Sequence, residues 1–202
     1  MEPARALDLS GIRVGDYGLK IIGSDLRAGL RLESLNLSRS TVTREGVEAL
    51  AETLTELGMP NAKESDTHGS GLLHKLMLNR CNLGCESADD IVSGKGRFGR
   101  LGPEGRTDAL RNSLRSIEAL GAMLESSGGQ ACRLQVLQLN KTRIGNAACA
   151  RIAKAMETNR HVKELSLGCA VFMVFARTLA VTIASRVTVL CFRLDGCAGK
   201  MR

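Results

Sequence analysis

The sequence predicts an α/β solenoid. About six strand–helix units stack side by side, each burying its apolar faces against its neighbours. Three observations predict it. A spaced apolar template recurs along the chain. Within each copy its period switches from two residues to three or four. Aromatic residues make up only 2% of the 202 residues, with no Trp and one Tyr, Tyr17. Packing must therefore come from aliphatic side chains, each worth roughly 1.5–3 kcal/mol when buried. A single strand–helix unit cannot bury both of its apolar faces alone, so each copy depends on its neighbours.

The second copy shows the template most clearly: Leu32, Leu35, Leu37, Ser40 and Val42, then Gly46, Val47, Leu50 and Leu54. Shifted back by 28 residues, it falls on Ala4, Leu7, Leu9, Ile12, Val14, Gly18, Leu19, Ile22 and Leu26. Starting at Leu134, it falls on Leu137, Leu139, Thr142, Ile144, Ala148, Cys149, Ile152 and Met156. Strand portions recur at Leu73 (Leu76, Leu78, Cys81, Leu83), at Val162 (Leu165, Leu167) and at Val189 (Phe192, Leu194, Cys197). The alternating part is a strand with one face buried. The part spaced like Val47-Leu50-Leu54 is the inner stripe of a helix.

The starts at 4, 32, 73, 134, 162 and 189 are separated by 28, 41, 61, 28 and 27 residues. The two long steps are the same unit carrying insertions. Residues 1–202 thus read as a single repeat domain with insertion loops at about 59–71 and 85–116. The first is rich in Asn, Asp, Ser, Thr and Gly, a solvated loop between a helix and the next strand. The second contains the run 93–106, with five glycines and four basic residues, and is expected to be disordered. Helical spacing returns with Ala109, Leu110, Leu114, Ile117, Leu120 and Leu124. Neither end offers a polar cap, so the terminal units call for a covering partner, a second copy, or further repeats outside this chain.

The pattern LxxLxLxx(N/C)xL followed by a helix resembles the leucine-rich-repeat superfamily in its ribonuclease-inhibitor-like class. Leu32-Leu35-Leu37, Leu73-Leu76-Leu78-Cys81-Leu83 and Leu134-Leu137-Leu139 carry the resemblance. It implies a curved horseshoe segment, with parallel β-strands on the concave face and helices on the convex face, and a surface for holding another protein, through partners of many kinds.

No run of about 18 apolar residues is present, so no membrane span is expected. The longest, Cys169 to Ala176, fits a buried helix. No secretory signal opens the chain. The seven cysteines follow the repeat, with Cys81 and Cys197 in the turn column and Cys149 on the helix stripe. Reduced thiols in the cytoplasm or nucleus, not secretion, are the expectation. His74, Cys81 and Cys85 lack a fourth ligand for zinc. No catalytic Ser-His-Asp set, paired carboxylates or metal cluster stands out, and His68, His74 and His161 fall in loops or at strand edges. The reading is a non-catalytic protein needing no cofactor.

Function is placed on two surfaces. Between the strand leucines, the outward positions include Asn36, Lys75, Met77, Asn79, Gln138, Asn140 and Glu164. On the turn edge, Arg39, Arg80 and Lys141 occupy one column two residues past the last strand leucine. Arg13 and Arg143 stand two columns further on. The net charge is +7, and like charges stacked about 5 Å apart repel. An acidic segment of a protein partner is the natural complement. Partner residues are thus expected at Arg13, Arg39, Arg80, Lys141 and Arg143 together with the strand-face set.

Two alternatives belong to other classes. The resemblance also implies a regulator of a small GTPase, of the GTPase-activating type, but six strands and a basic end differ from the longer, acid-tailed arrays of that kind. RNA binding through loop 93–106 would use its Arg/Gly run with Phe98 for stacking. The run lacks the GxxxxGK[ST] spacing of a phosphate cradle, and one such stretch does not outweigh the protein-binding reading.

Overall fold

The computed structural model describes residues 5–57, 73–83, 91, 100, 102–126, 134–142, 144, 146–167 and 188–189. Six strands alternate with four helices across them: β1 (Ala6–Asp8), α1 (Gly15–Arg27), β2 (Ser34–Asn36), α2 (Arg44–Leu57), β3 (Lys75–Met77), α3 (Pro103–Ser126), β4 (Val136–Gln138), α4 (Asn146–Thr158), β5 (Glu164–Ser166) and β6 (Thr188–Val189). The strands form one parallel sheet in sequence order, each pairing only with its neighbours in the chain. The helices pack in the same succession, α1 on α2, α2 on α3 and α3 on α4. This is the stack of strand–helix units that the template requires.

Register follows the template. Leu7, Leu35, Leu76, Leu137 and Leu165 stand opposite one another along the sheet. From Leu35 to Leu165 these central leucines are fully buried, and so are Leu37, Leu78 and Leu139 two residues on. From the helices, Leu19, Val47, Leu50, Ile117, Leu120, Leu124, Cys149 and Ile152 close the same core. The first unit is less covered: Leu7 and Leu9 only lean against this core, while Ile12 and Ile21 are exposed. Neighbours on both sides, not the leucines themselves, make the difference.

Local chemistry ends each element. Past α1, Gly29 takes φ +101°. Its N–H donates to the Leu26 carbonyl, and that of Leu30 to the Asp25 carbonyl. This paired C-terminal closure needs a left-handed residue, which glycine adopts freely. Pro103 opens α3, where its missing N–H would have had no helical partner.

Two sequence expectations are corrected. The range 85–116, read as an insertion loop, is helical from Pro103 onward. The helix needs no inward apolar stripe in its first turns, because Pro at the first position and Glu104 beside it suit a helix N-terminus. Apolar spacing alone therefore places its start too late. The sixth strand is also displaced. The template puts Phe192 opposite Leu165, whereas the sheet pairs Val189 with Leu165, three residues earlier. Alternating β-branched residues at 187 and 189 make several registers compatible with the pattern. The insertion at 59–71, the run 93–99, the apolar run 169–176 and the residues after 189 lie outside the described residues.

Candidate functional site

β1, β2 and β3 each end in a tight turn built the same way. The N–H of Ser40 donates to the Leu37 carbonyl, that of Cys81 to Leu78, and that of Ile12 to Leu9. The third residue of each turn is left-handed, and so is its counterpart after β4: Gly11 (φ +74°), Arg39 (+61°), Arg80 (+60°) and Lys141 (+57°). Turns of this kind favour Gly or Asn there. The three basic residues picked out as a column by sequence are thus the three non-glycine residues of positive φ among the described residues. Each such residue carries about 1–2 kcal/mol of steric cost that glycine would avoid. The sheet ladder continues through the turns, with N–H groups of Gly11, Arg39 and Arg80 donating to the carbonyls of Ser38, Asn79 and Asn140, each at 2.8 Å. All three cations are exposed.

Among the described residues, the ion pairs are Arg5–Glu33, Arg27–Glu56, Arg111–Asp108, Arg115–Glu48 and Arg151–Glu125, none of them with Arg39, Arg80 or Lys141. Arg13 is exposed near the start of this edge. Arg143 lies outside the described residues.

Behind the cations the next turn position points inward. Ser40, Cys81 and Thr142 are all buried. The Cys81 thiol donates to the Leu37 carbonyl at 3.1 Å, and the Thr142 hydroxyl to the Leu139 carbonyl at 2.7 Å. Burial pushes the Cys81 thiol above its ordinary pKa, with the hydrogen bond to Ser40 opposing in part. Cys81 and Thr142 therefore satisfy backbone carbonyls from this column. Cys197 lies outside the described residues.

The strand face carries the other sequence-selected residues, and it ties most of them together. Asn79 is the hub. Its Nδ2 donates to Gln138 Oε1 at 3.0 Å, and its Oδ1 accepts from the backbone N–H and Nδ2 of Asn140 at 3.0 and 2.9 Å. Gln138 Nε2 donates to Glu164 Oε1 at 3.1 Å, and the Ser166 hydroxyl donates to Asn140 Oδ1 at 2.9 Å. Asn36 Oδ1 accepts from the Ser38 N–H. In the equivalent place Asp8 accepts from Ser10, and that backbone hydrogen bond holds its carboxyl below the usual range. Lys75 lies in register between Ser34 and Val136, and Met77 between Asn36 and Gln138. Asn36, Lys75, Met77, Asn79, Gln138, Asn140 and Glu164 are half-buried. The sequence locates this row but not the side-chain ladder, which depends on amides facing each other across units far apart in the chain.

A groove of about 490 Å³ lies between α2 and α3, lined by Glu48, Glu52, Glu56, Glu118 and Arg115 with small residues. It is acidic, in contrast to the turn edge. No group of three or more His, Cys, Asp or Glu residues among the described residues is placed to hold a metal. No helix among the described residues is long and apolar enough to cross a membrane.

Residues 32–51 match the family profile described as Leucine Rich repeat. They span β2, its turn and the first half of α2, the unit whose template is most regular. The chain carries a leucine-rich repeat, and its array is similar to the ribonuclease-inhibitor-like class. It is similar to the human NACHT, LRR and PYD domains-containing protein 12, with 26% identity over 182 residues, covering 80% of this chain and 16% of that protein. It is 28% identical over 183 residues to the human NACHT, LRR and PYD domains-containing protein 5, covering 81% and 15%. To the mouse ribonuclease inhibitor it is 27% identical over 186 residues, covering 81% and 39%. The chain thus spans a minor part of each relative. The solved structure of Leiomodin-1 Actin-Binding Site 2 superposes with a TM-score of 0.55 at 13% identity, over 92% of this chain and 82% of that one, and shares the fold.

Proposed function

We propose that this leucine-rich-repeat array is a non-catalytic interaction module that holds a partner protein across its strand face and basic turn ridge. One observation carries the reading. Arg39, Arg80 and Lys141 occupy left-handed turn positions where the first unit uses Gly11. Glycine serves the turn, and three stacked cations oppose one another, so folding alone does not account for the basic residues. An acidic segment facing the ridge removes the repulsion and gains steering at long range. The half-buried amide ladder beside it supplies a preformed polar floor, whose groups need little reordering on binding.

The similar proteins favour a binding role. One is named for inhibiting ribonuclease, and another structure is titled for binding actin. The test compares partner recovery from cell extract by the intact chain and by the Arg39→Gly/Arg80→Gly/Lys141→Gly variant. Loss of a specific partner from a variant that melts no lower supports the ridge. Equal recovery moves the contact to Lys75, Met77 and their strand-face neighbours.

A further inference from the structure

Resting on that ridge reading, we propose that the ridge receives an acidic α-helix, lying across the turns with carboxylates along one face. The turn ladder supplies the spacing. Arg39 N–H to Asn79 and Arg80 N–H to Asn140, each at 2.8 Å, hold successive turns at sheet distance. Neighbouring strands lie about 4.7–4.9 Å apart, so three cations span roughly 9.6 Å. Carboxylates at i, i+3 or i+4, and i+7 of a helix line one face and span about 10.5 Å. Same-face residues of an extended segment at i, i+2 and i+4 span about 13 Å, too long by several ångströms. The three residues share one backbone conformation, with φ of 57° to 61°, so their side chains leave the turns in a common sense.

Nucleic acid fits less well. Single strands are held by basic grooves interleaved with aromatic platforms. Among the described residues the aromatic side chain is Tyr17, on α1 and not in the turn column.

The test uses the intact chain and labelled peptides at low ionic strength, followed by anisotropy. One peptide is alanine-rich and helical, with Glu at i, i+4, i+7 and i+11. A second has the same composition with Glu spread around the helix. A third alternates Thr and Glu to favour an extended form, and a short single-stranded RNA completes the set. The striped helix is expected to bind roughly fivefold more tightly than either other peptide, an advantage that falls with salt and vanishes in the Arg39→Gly/Arg80→Gly/Lys141→Gly variant. Equal binding of the three peptides, all lost in the variant, overturns the helix and leaves the ridge. Peptide binding that the variant retains overturns both. Tighter binding of the RNA, or no binding of the striped helix, overturns the proposal as well.

Discussion

Asp16 in the first turn of α1 grips Thr43 at the start of α2 through both carboxylate oxygens. Oδ1 accepts the Thr43 backbone N–H at 2.8 Å, and Oδ2 accepts its hydroxyl at 2.7 Å. Thr43 also stands at the head of α2, where its hydroxyl oxygen accepts weakly from the Glu45 N–H at 3.4 Å. One carboxylate therefore ties two units together where helical N–H groups lack intrahelical partners. Gly46 makes the approach possible, since a Cβ there would lie 2.5 Å from Asp16 Oδ1 and 3.1 Å from its Cα.

Gly46→Ala should accordingly destabilise the array although alanine is the better helix former. The helical gain is about 1 kcal/mol, and overpacking against backbone costs typically 1–3 kcal/mol. A lower urea midpoint is expected, and a higher one would show that Asp16 yields freely. Asp16→Asn should lose less, because one amide oxygen can still accept the Thr43 N–H.

The left-handed turns give a prediction of opposite sign. Arg39→Gly should hold or raise the melting temperature, because relief of the positive φ offsets the greater freedom of the unfolded chain. Arg39→Val should lower stability by about 1–2 kcal/mol, since a β-branched residue tolerates this region worst. Thermal melts of the two variants, with the same pair made at Arg80, decide it. A valine variant as stable as the glycine one would remove the conformational argument for the ridge.

The turn column was legible because a repeat superimposes its own copies: Arg39, Arg80 and Lys141 align by counting from Leu37, Leu78 and Leu139. Their backbone conformation was signalled only by Gly11 in the same column. The strand-face ladder was not legible, because Asn79 and Asn140 are 61 residues apart and join only through sheet register. The start of α3 is not legible in apolar spacing, because its first turns are amphipathic at best and nothing in that spacing marks Pro103. The sixth strand slipped by three residues because Val189 and Phe192 suit the central position equally well.

Asn159 carries no signal in the sequence, being a lone polar residue after a helix, yet it is buried and joins three segments. Its Oδ1 accepts from the N–H groups of His161 and Val162 at 2.8 and 2.9 Å, and its Nδ2 donates to the Leu124 carbonyl at 2.8 Å. It closes the exit of α4 and caps the carbonyl end of α3 at once. Asn159→Leu keeps the number and branching of heavy atoms but leaves the N–H groups of His161 and Val162 without their acceptor, which costs about 1–3 kcal/mol for a single group. A loss of roughly 3 kcal/mol in denaturant unfolding is expected. Asn159→Asp should recover part of it, because the carboxylate still accepts both N–H groups. If the leucine and aspartate variants unfold together, packing rather than hydrogen bonding holds this corner.

Cys81 yields a prediction in pH. Its thiol is 1% exposed, donates to the Leu37 carbonyl, and is pushed by burial above the ordinary thiol value. The neutral form is the one the fold favours. Its contribution is therefore complete below the unfolded thiol pKa and is lost as pH rises through the raised folded value. Stability should fall on the alkaline side more steeply in the natural chain than in Cys81→Ser, whose hydroxyl can make the same bond without ionising. The thiol should also resist alkylation in the folded state at mildly alkaline pH and react once urea unfolds the chain. Peptide mapping after a short pulse of iodoacetamide reads this directly. Modification of Cys81 in the folded protein at the rate of a free thiol would mean that the turn opens far more readily than its hydrogen bonds imply.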